Sequence, residues 1–139
     1  MNGTMSNIRV AELRWDGDLR FTGGIPGGAT IRIDAGGDTA PGPMVQLLLA
    51  AGACSGADVV SILQKMQVGL ERCEMTVTGV RQEEHPRRYL SIHYLFHLAG
   101  TGLDEVKARR AIDLSIEKYC SVLHSLKPDI AVSYDVELG

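Results

Sequence analysis

Pro43-Met44-Val45-Gln46-Leu47-Leu48-Leu49-Ala50-Ala51-Gly52-Ala53-Cys54-Ser55-Gly56-Ala57-Asp58-Val59-Val60 carries three clearly polar side chains after its proline: Gln46, Ser55 and Asp58. Pro43 suits the first position of a helix, where its missing N–H costs nothing. The reading extends this helix to about Gln67, with Gly69 ending it. A helix that is apolar on all sides has to be covered on all sides. Its middle, Ala50-Ala51-Gly52-Ala53, is small enough for a second backbone to come close. Glycine in a helix costs about 1 kcal/mol relative to alanine, so Gly52 and Gly56 imply tight packing around Cys54.

Outward from this helix, residues 6–34 read as β structure, with strands over about 7–15, 18–23 and 28–34. Asp16-Gly17 and Gly23-Gly24-Ile25-Pro26-Gly27-Gly28 mark the turns. In the third strand Ile31 and Ile33 share one face, and Thr30, Arg32 and Asp34 the other. The second turn lacks the Lys and Ser/Thr of a phosphate loop. After the helix come strands over 71–82, with Cys73, Met75 and Val77 on one face, and 87–98, with Leu90, Ile92, Tyr94, Phe96 and Leu98 on one face. A second helix spans about 102–126, with Thr101 and Asp104 as a capping pair. Its buried stripe is Ala108, Ala111, Ile112, Ser115, Ile116, Tyr119, Cys120 and Leu123. Pro128 stops it, and a strand over 129–137 buries Ile130, Val132, Tyr134 and Val136. The order βββ-α-ββ-α-β predicts a single α+β domain over 1–139 with two central helices. One small sheet cannot cover the first helix, so a homodimer is expected.

The 139 residues are 45% hydrophobic and 22% charged, with a net charge of −3. These proportions exclude a disordered chain, and the charge gives no basic footprint for nucleic acid. The longest apolar run, Leu47 to Cys54, is well short of the roughly 20 residues of a membrane span. Met1-Asn2-Gly3-Thr4-Met5-Ser6 shows no basic region followed by an apolar stretch, so no leader is expected and the cytoplasm is the expected location. His93 and His97 alternate with an apolar strand face and read as sheet residues rather than a metal pair.

The three cysteines, Cys54, Cys73 and Cys120, form neither an even disulfide framework nor a zinc spacing. Cys73 reads as a strand core residue. Cys54 and Cys120 each sit on or near the buried face of a long helix. A cysteine peroxidase needs such a pair: one thiolate becomes a sulfenic acid, and a second thiol condenses with it to a disulfide. The stretch Pro43–Lys65 resembles the first cysteine helix of the OsmC/Ohr family. The stretch Ala111-Ile112-Asp113-Leu114-Ser115-Ile116-Glu117-Lys118-Tyr119-Cys120-Ser121-Val122 resembles its second. Element order and spacing match over nearly the whole chain, and the end of the first helix is closest to the less characterised OsmC-like branch.

This resemblance implies an OsmC-like fold, an intertwined homodimer and a thiol peroxidase acting on organic hydroperoxides without metal, haem or flavin. Cys54 would be the peroxidatic cysteine and Cys120 the resolving one. Some members of the family draw electrons from dithiols such as lipoylated proteins. Characterised family peroxidases stabilise the thiolate with an Arg, held by a Glu directly after the helix-starting Pro. Here that position is Met44, followed by Val45 and Gln46. Arg32, in Arg32-Ile33-Asp34-Ala35, resembles the family Arg, with Asp34 or Asp58 as a substitute anchor. Cys54 lies roughly 16 Å into its helix, beyond the first turn where the dipole acts, so the cation matters. Two alternatives stay open: a non-catalytic dimeric protein binding a small hydrophobic ligand in an apolar pocket between the helices, and a general thiol-redox protein.

Overall fold

The computed structural model describes residues 7–139; Met1–Ser6, read above for a leader, lie outside the described residues. The chain divides between Leu47 and Leu48 into two compact units.

The N-terminal unit is an antiparallel meander of β1 (Glu12–Trp15), β2 (Arg20–Gly24) and β3 (Thr30–Asp34), in that order. The turn at Asp16-Gly17-Asp18 forms as its sequence requires. Gly17 takes φ +103°, and the Arg20 N–H closes the turn onto the Gly17 carbonyl at 2.9 Å. Leu13 aligns with Gly23 and Ile31, and Trp15 with Phe21 and Ile33. These side chains therefore share one face, and Leu13, Trp15 and Ile31 are exposed on it. The first strand is shorter than expected, starting at Glu12 rather than near residue 7.

Helix α1 (Pro43–Lys65) leads into the C-terminal unit. There β4 (Gly69–Arg81), β5 (Tyr89–Thr101) and β6 (Ala131–Leu138) form a sheet in that order, β4–β5 antiparallel and β5–β6 parallel. The parallel step requires a crossover, supplied by the second helical region: α2 (Glu105–Leu114), a π-helical segment (Ser115–Tyr119) and α3 (Ser121–His124). Asp104 caps α2, accepting from the Lys107 N–H at 2.8 Å; Thr101 stays in β5. Among the described residues the architecture is α+β with six strands and two helical regions, as the order of elements predicts.

The core combines Val59 and Leu63 of α1, Ile92, Tyr94, Phe96 and Leu98 of β5, and Ala108, Ala111 and Ile112 of α2. Burying each large aliphatic side chain stabilises by roughly 1.5–3 kcal/mol. The two helix glycines lie against β4. A Cβ added at Gly52 would stand 3.0 Å from Val77 Cγ2, and one at Gly56 2.9 Å from Met75 Cε.

Three expectations need correction. Leu90 is exposed and Tyr89 takes its place in the core, because a register shift between Val80 and Arg81 reverses the alternation there. The second helix is not continuous: it opens into the π segment, and Cys120 has extended backbone (φ −72°, ψ 99°). Tyr119 accordingly turns outward, 49% exposed. Finally, α1 is long and apolar enough to cross a membrane by length and composition alone. Counting consecutive apolar residues misses this, because Gly52, Ser55 and Gly56 interrupt the run without making the helix polar. In this fold α1 is a packing helix, although the chain itself buries only 28% of its most apolar 18 residues.

Candidate thiol site

Cys54 and Asp58 lie one turn apart on the same face of α1, a spacing that brings side chains together on a helix. Cys120 arrives from the break after the π segment. The two sulfurs and a carboxylate oxygen of Asp58 all lie within 4.8 Å of one another. Cys120 is fully buried, whereas Cys54 and Asp58 are half-buried. Both thiols are free.

Beneath them lies a buried hydroxyl chain. The Tyr94 hydroxyl donates to the Ala51 carbonyl at 3.2 Å and lies 3.1 Å from Ser55 Oγ. Ser55, a polar residue in an apolar helix, is completely buried and so has to find a partner. It finds Tyr94 and the Cys120 sulfur. Ser115, also buried, donates to Asp58 Oδ2 at 2.9 Å. The Leu123 N–H donates to Cys120 Sγ at 3.5 Å.

Burial pushes the Cys120 thiol above its ordinary value. The Ser55 hydroxyl and the Leu123 N–H pull it back, while Cys54 raises it through a hydrogen bond and through charge. Burial also pushes Tyr94 up to about 12; Ser55 opposes the shift and the two cysteines add to it. Cys73, on β4, is half-buried and raised by burial alone.

Arg32 lies exposed on β3 of the N-terminal unit. Its charge helps hold the Asp16 carboxyl below the usual range, after Thr22 and Arg14. Asp34 does not serve as its anchor. Its two oxygens accept from the Gly36 N–H, the Thr39 N–H and the Thr39 hydroxyl, and the Thr39 bonds do most to lower its pKa. Asp58 is engaged by Ser115. Gln46, two residues beyond Met44, instead holds the Arg32 main chain: its Nε2 donates to the Arg32 carbonyl at 2.9 Å. His93 and His97 are sheet residues as expected, 3.3 Å from Asp135 and 3.2 Å from Glu137 on β6.

The sequence reading brings Cys54, Cys120 and Asp58 into view but misses Tyr94 and its buried partner Ser55. The signal for Ser55 was present, in a lone hydroxyl on an otherwise apolar helix.

The family model described as OsmC-like protein matches residues 36–135. The protein YhfA of Escherichia coli strain K12 is 41% identical over 129 residues, covering 92% of this chain and 96% of YhfA. A crystal structure of a hypothetical protein from Aquifex aeolicus is similar at 30% identity with a TM-score of 0.82, covering 96% of this chain and 98% of the other. An OsmC-like protein of Mycoplasma pneumoniae, at 18% identity, shares the fold with a TM-score of 0.82 over 96% of this chain and 99% of its own. The chain belongs to the OsmC-like family, a family of peroxidase-like redox proteins.

Proposed function

We propose that the protein is a thiol-dependent peroxidase that reduces organic, lipid-like hydroperoxides. The observation that carries this reading is the approach of the Cys54 and Cys120 sulfurs to within 4.8 Å, one thiol half-buried and the other enclosed. A disulfide needs the sulfurs about 2 Å apart, so the pair is close enough to bond after small side-chain rotations. The half-buried Cys54 is the one a peroxide can reach.

In the proposed cycle the Cys54 thiolate attacks the O–O bond of ROOH. Cys54 becomes a sulfenic acid, and the alkoxide leaves as ROH after taking a proton. The Cys120 thiol condenses with the sulfenic acid, forming the disulfide and releasing water. A dithiol reductant then reduces the disulfide by exchange and is itself oxidised to a disulfide. Arg32 is assigned the task of favouring the Cys54 thiolate. The reading includes a homodimer and a cytoplasmic location. Support for the dimer comes from the apolar residues this chain leaves uncovered: Val45 and Leu49 on α1, and Leu13, Trp15 and Ile31 on the first sheet.

The test is to add one equivalent of cumene hydroperoxide to reduced, metal-free protein, digest without reductant and identify the peptides by mass spectrometry. A Cys54–Cys120 disulfide formed within seconds is the expected result. Thiols that remain free through minutes of exposure would overturn it and favour a ligand-binding role. A disulfide formed only with oxidised thiols, never with peroxide, would favour general thiol redox.

A further inference from the structure

Two thiols and a carboxylate converge at one point in this fold, and a peroxidase cycle uses only the thiols. We propose that the reduced site is a zinc site, with Cys54, Asp58 and Cys120 as its three protein ligands. Zinc is bound at about 2.3 Å by thiolate and about 2.0–2.2 Å by carboxylate, in tetrahedral geometry. Donor atoms around such an ion lie roughly 3.5–4 Å apart. The three atoms here, all within 4.8 Å of one another, need to draw in by about 1 Å at most. Soft thiolates select zinc over magnesium or calcium. Three ligands leave the fourth position open to water, the pattern of a reactive rather than a closed structural site.

The surroundings match what a metal site asks of its neighbours. Ligating groups are ordinarily held by hydrogen bonds from residues behind them. Ser115 donates to Asp58 Oδ2 at 2.9 Å. The Leu123 N–H donates to the Cys120 sulfur at 3.5 Å. The half-buried Cys54 and Asp58 leave a way in for the ion. The residue one helical turn from Cys54 could have been any of the apolar types that fill α1; a carboxylate there places a third anionic donor beside two thiols. Binding converts two thiols to thiolates and releases two protons: Zn²⁺ + 2 RSH → Zn(SR)₂ + 2 H⁺. Resting on the peroxidase reading, zinc would also occupy the lone pairs that attack peroxide, so the loaded protein would be held reduced and inactive.

The experiment titrates Zn²⁺ into full-length protein reduced with a phosphine, against a chromophoric zinc chelator, with Co²⁺ as a spectroscopic substitute. The expected result is one zinc per chain, release of about two protons, and a thiolate-to-cobalt charge-transfer band. Asp58→Asn, which keeps the side-chain volume, should weaken zinc at least tenfold. Ser115→Ala should weaken it less, Cys54→Ser should abolish it, and Cys73→Ser should leave it unchanged. Absence of stoichiometric binding, equal affinity in Asp58→Asn, or loss in Cys73→Ser would overturn the site. Peroxide treatment of metal-free protein reports separately on the peroxidase. A disulfide without zinc binding removes only the metal site, and zinc binding without a disulfide removes only the peroxidase. Where both hold, zinc-loaded protein should form the disulfide at least tenfold more slowly.

Discussion

Tyr94→Phe tests the buried hydroxyl chain under the thiols, and its effect on stability should change sign with pH. At neutral pH the variant loses a bond to the Ala51 carbonyl and a neighbour of Ser55. The Ala51 carbonyl keeps its place in the helix ladder, and Ser55 keeps the Cys120 sulfur, so the cost is that of one ordinary hydrogen bond, about 1 kcal/mol. In the folded protein the phenol is pushed up from 10.0 to about 12, chiefly by burial. A raised pKa means the folded state holds the proton more tightly than the unfolded state. The stabilisation is complete below pH 10 and is lost as pH rises toward 12. Two pH units at about 1.36 kcal/mol each give a loss of roughly 2.7 kcal/mol in the wild type that phenylalanine cannot suffer. The difference between the proteins therefore runs from about +1 kcal/mol in favour of tyrosine to about −1 kcal/mol at pH 11.5, crossing zero between pH 10 and 11.5. Urea unfolding of both proteins at half-unit steps from pH 8 to 11.5 measures it. Taking the difference cancels the titrating groups that do not act on Tyr94, including Tyr89 and Tyr134, whose values are also raised. A mutational cost that stays flat across this range would refute the placement of a buried, protonated phenol beside Ser55.

Further outcomes follow from the same contacts. Ser55→Ala removes a group that lowers the Cys120 thiol, so in a Cys54→Ser background the alkylation of Cys120 should move to higher pH; a profile that stays put or moves lower would contradict the bond. Cys120→Ser should leave a Cys54 sulfenic acid that a dimedone-type reagent traps after peroxide, whereas Cys54→Ser should give no adduct. Arg32→Ala should slow oxidation of Cys54 by at least tenfold under the assigned role, and unchanged single-turnover kinetics would remove Arg32 from it. Gly56→Ala presses on the flexible end of Met75 and Gly52→Ala on the stiff branch of Val77. The helix gains about 1 kcal/mol from either alanine, so Gly56→Ala should be the more stable variant in thermal unfolding.

The elements that were legible in the sequence are those whose signal is local. Asp16-Gly17 announces its turn, Pro43 its helix start, and Ile92, Tyr94, Phe96 and Leu98 a half-buried strand by simple alternation; all are in place. What was not legible depends on neighbours. Tyr89 replaces Leu90 because β5 carries one extra residue, Leu90, between Tyr89 and Ser91, which pair with the consecutive Arg81 and Val80 of β4, and the alternation of apolar residues does not record that. Asp34 stands two residues from Arg32, an attractive anchor on paper, yet its carboxylate closes the loop at Gly36 and Thr39. Membership of the family was legible from the two cysteine stretches, since both the spacing and the element order had to fit together.

The helix break shows why the thiol site needed three dimensions to be read. Continued as α-helix, the second helical region would advance about 100° per residue. Ser115 and Cys120, five residues apart, would then point about 140° away from each other. They would lie at opposite edges of the buried stripe rather than side by side. The π segment closes the Cys120 N–H onto the Ser115 carbonyl at 2.8 Å, a bond across five residues, which stacks the two positions on one side. Ser115 then holds Asp58 while Cys120 meets Cys54, and Tyr119, displaced from the stripe, turns to the surface. A helical period of 3.6 places Tyr119 inside and leaves the link between Ser115 and Cys120 unseen. The wider turn costs helix regularity but brings two residues of one segment to a single site, the thiol and the group that positions the neighbouring carboxylate. Deleting one residue from this segment, for example Glu117, should therefore restore a regular helix in which the serine and the cysteine, then four residues apart, stay about 40° from each other on the same side. The expected result is a folded protein whose two thiols still form a disulfide with mild oxidants; loss of that disulfide would show that the wide turn does more than take up one extra residue.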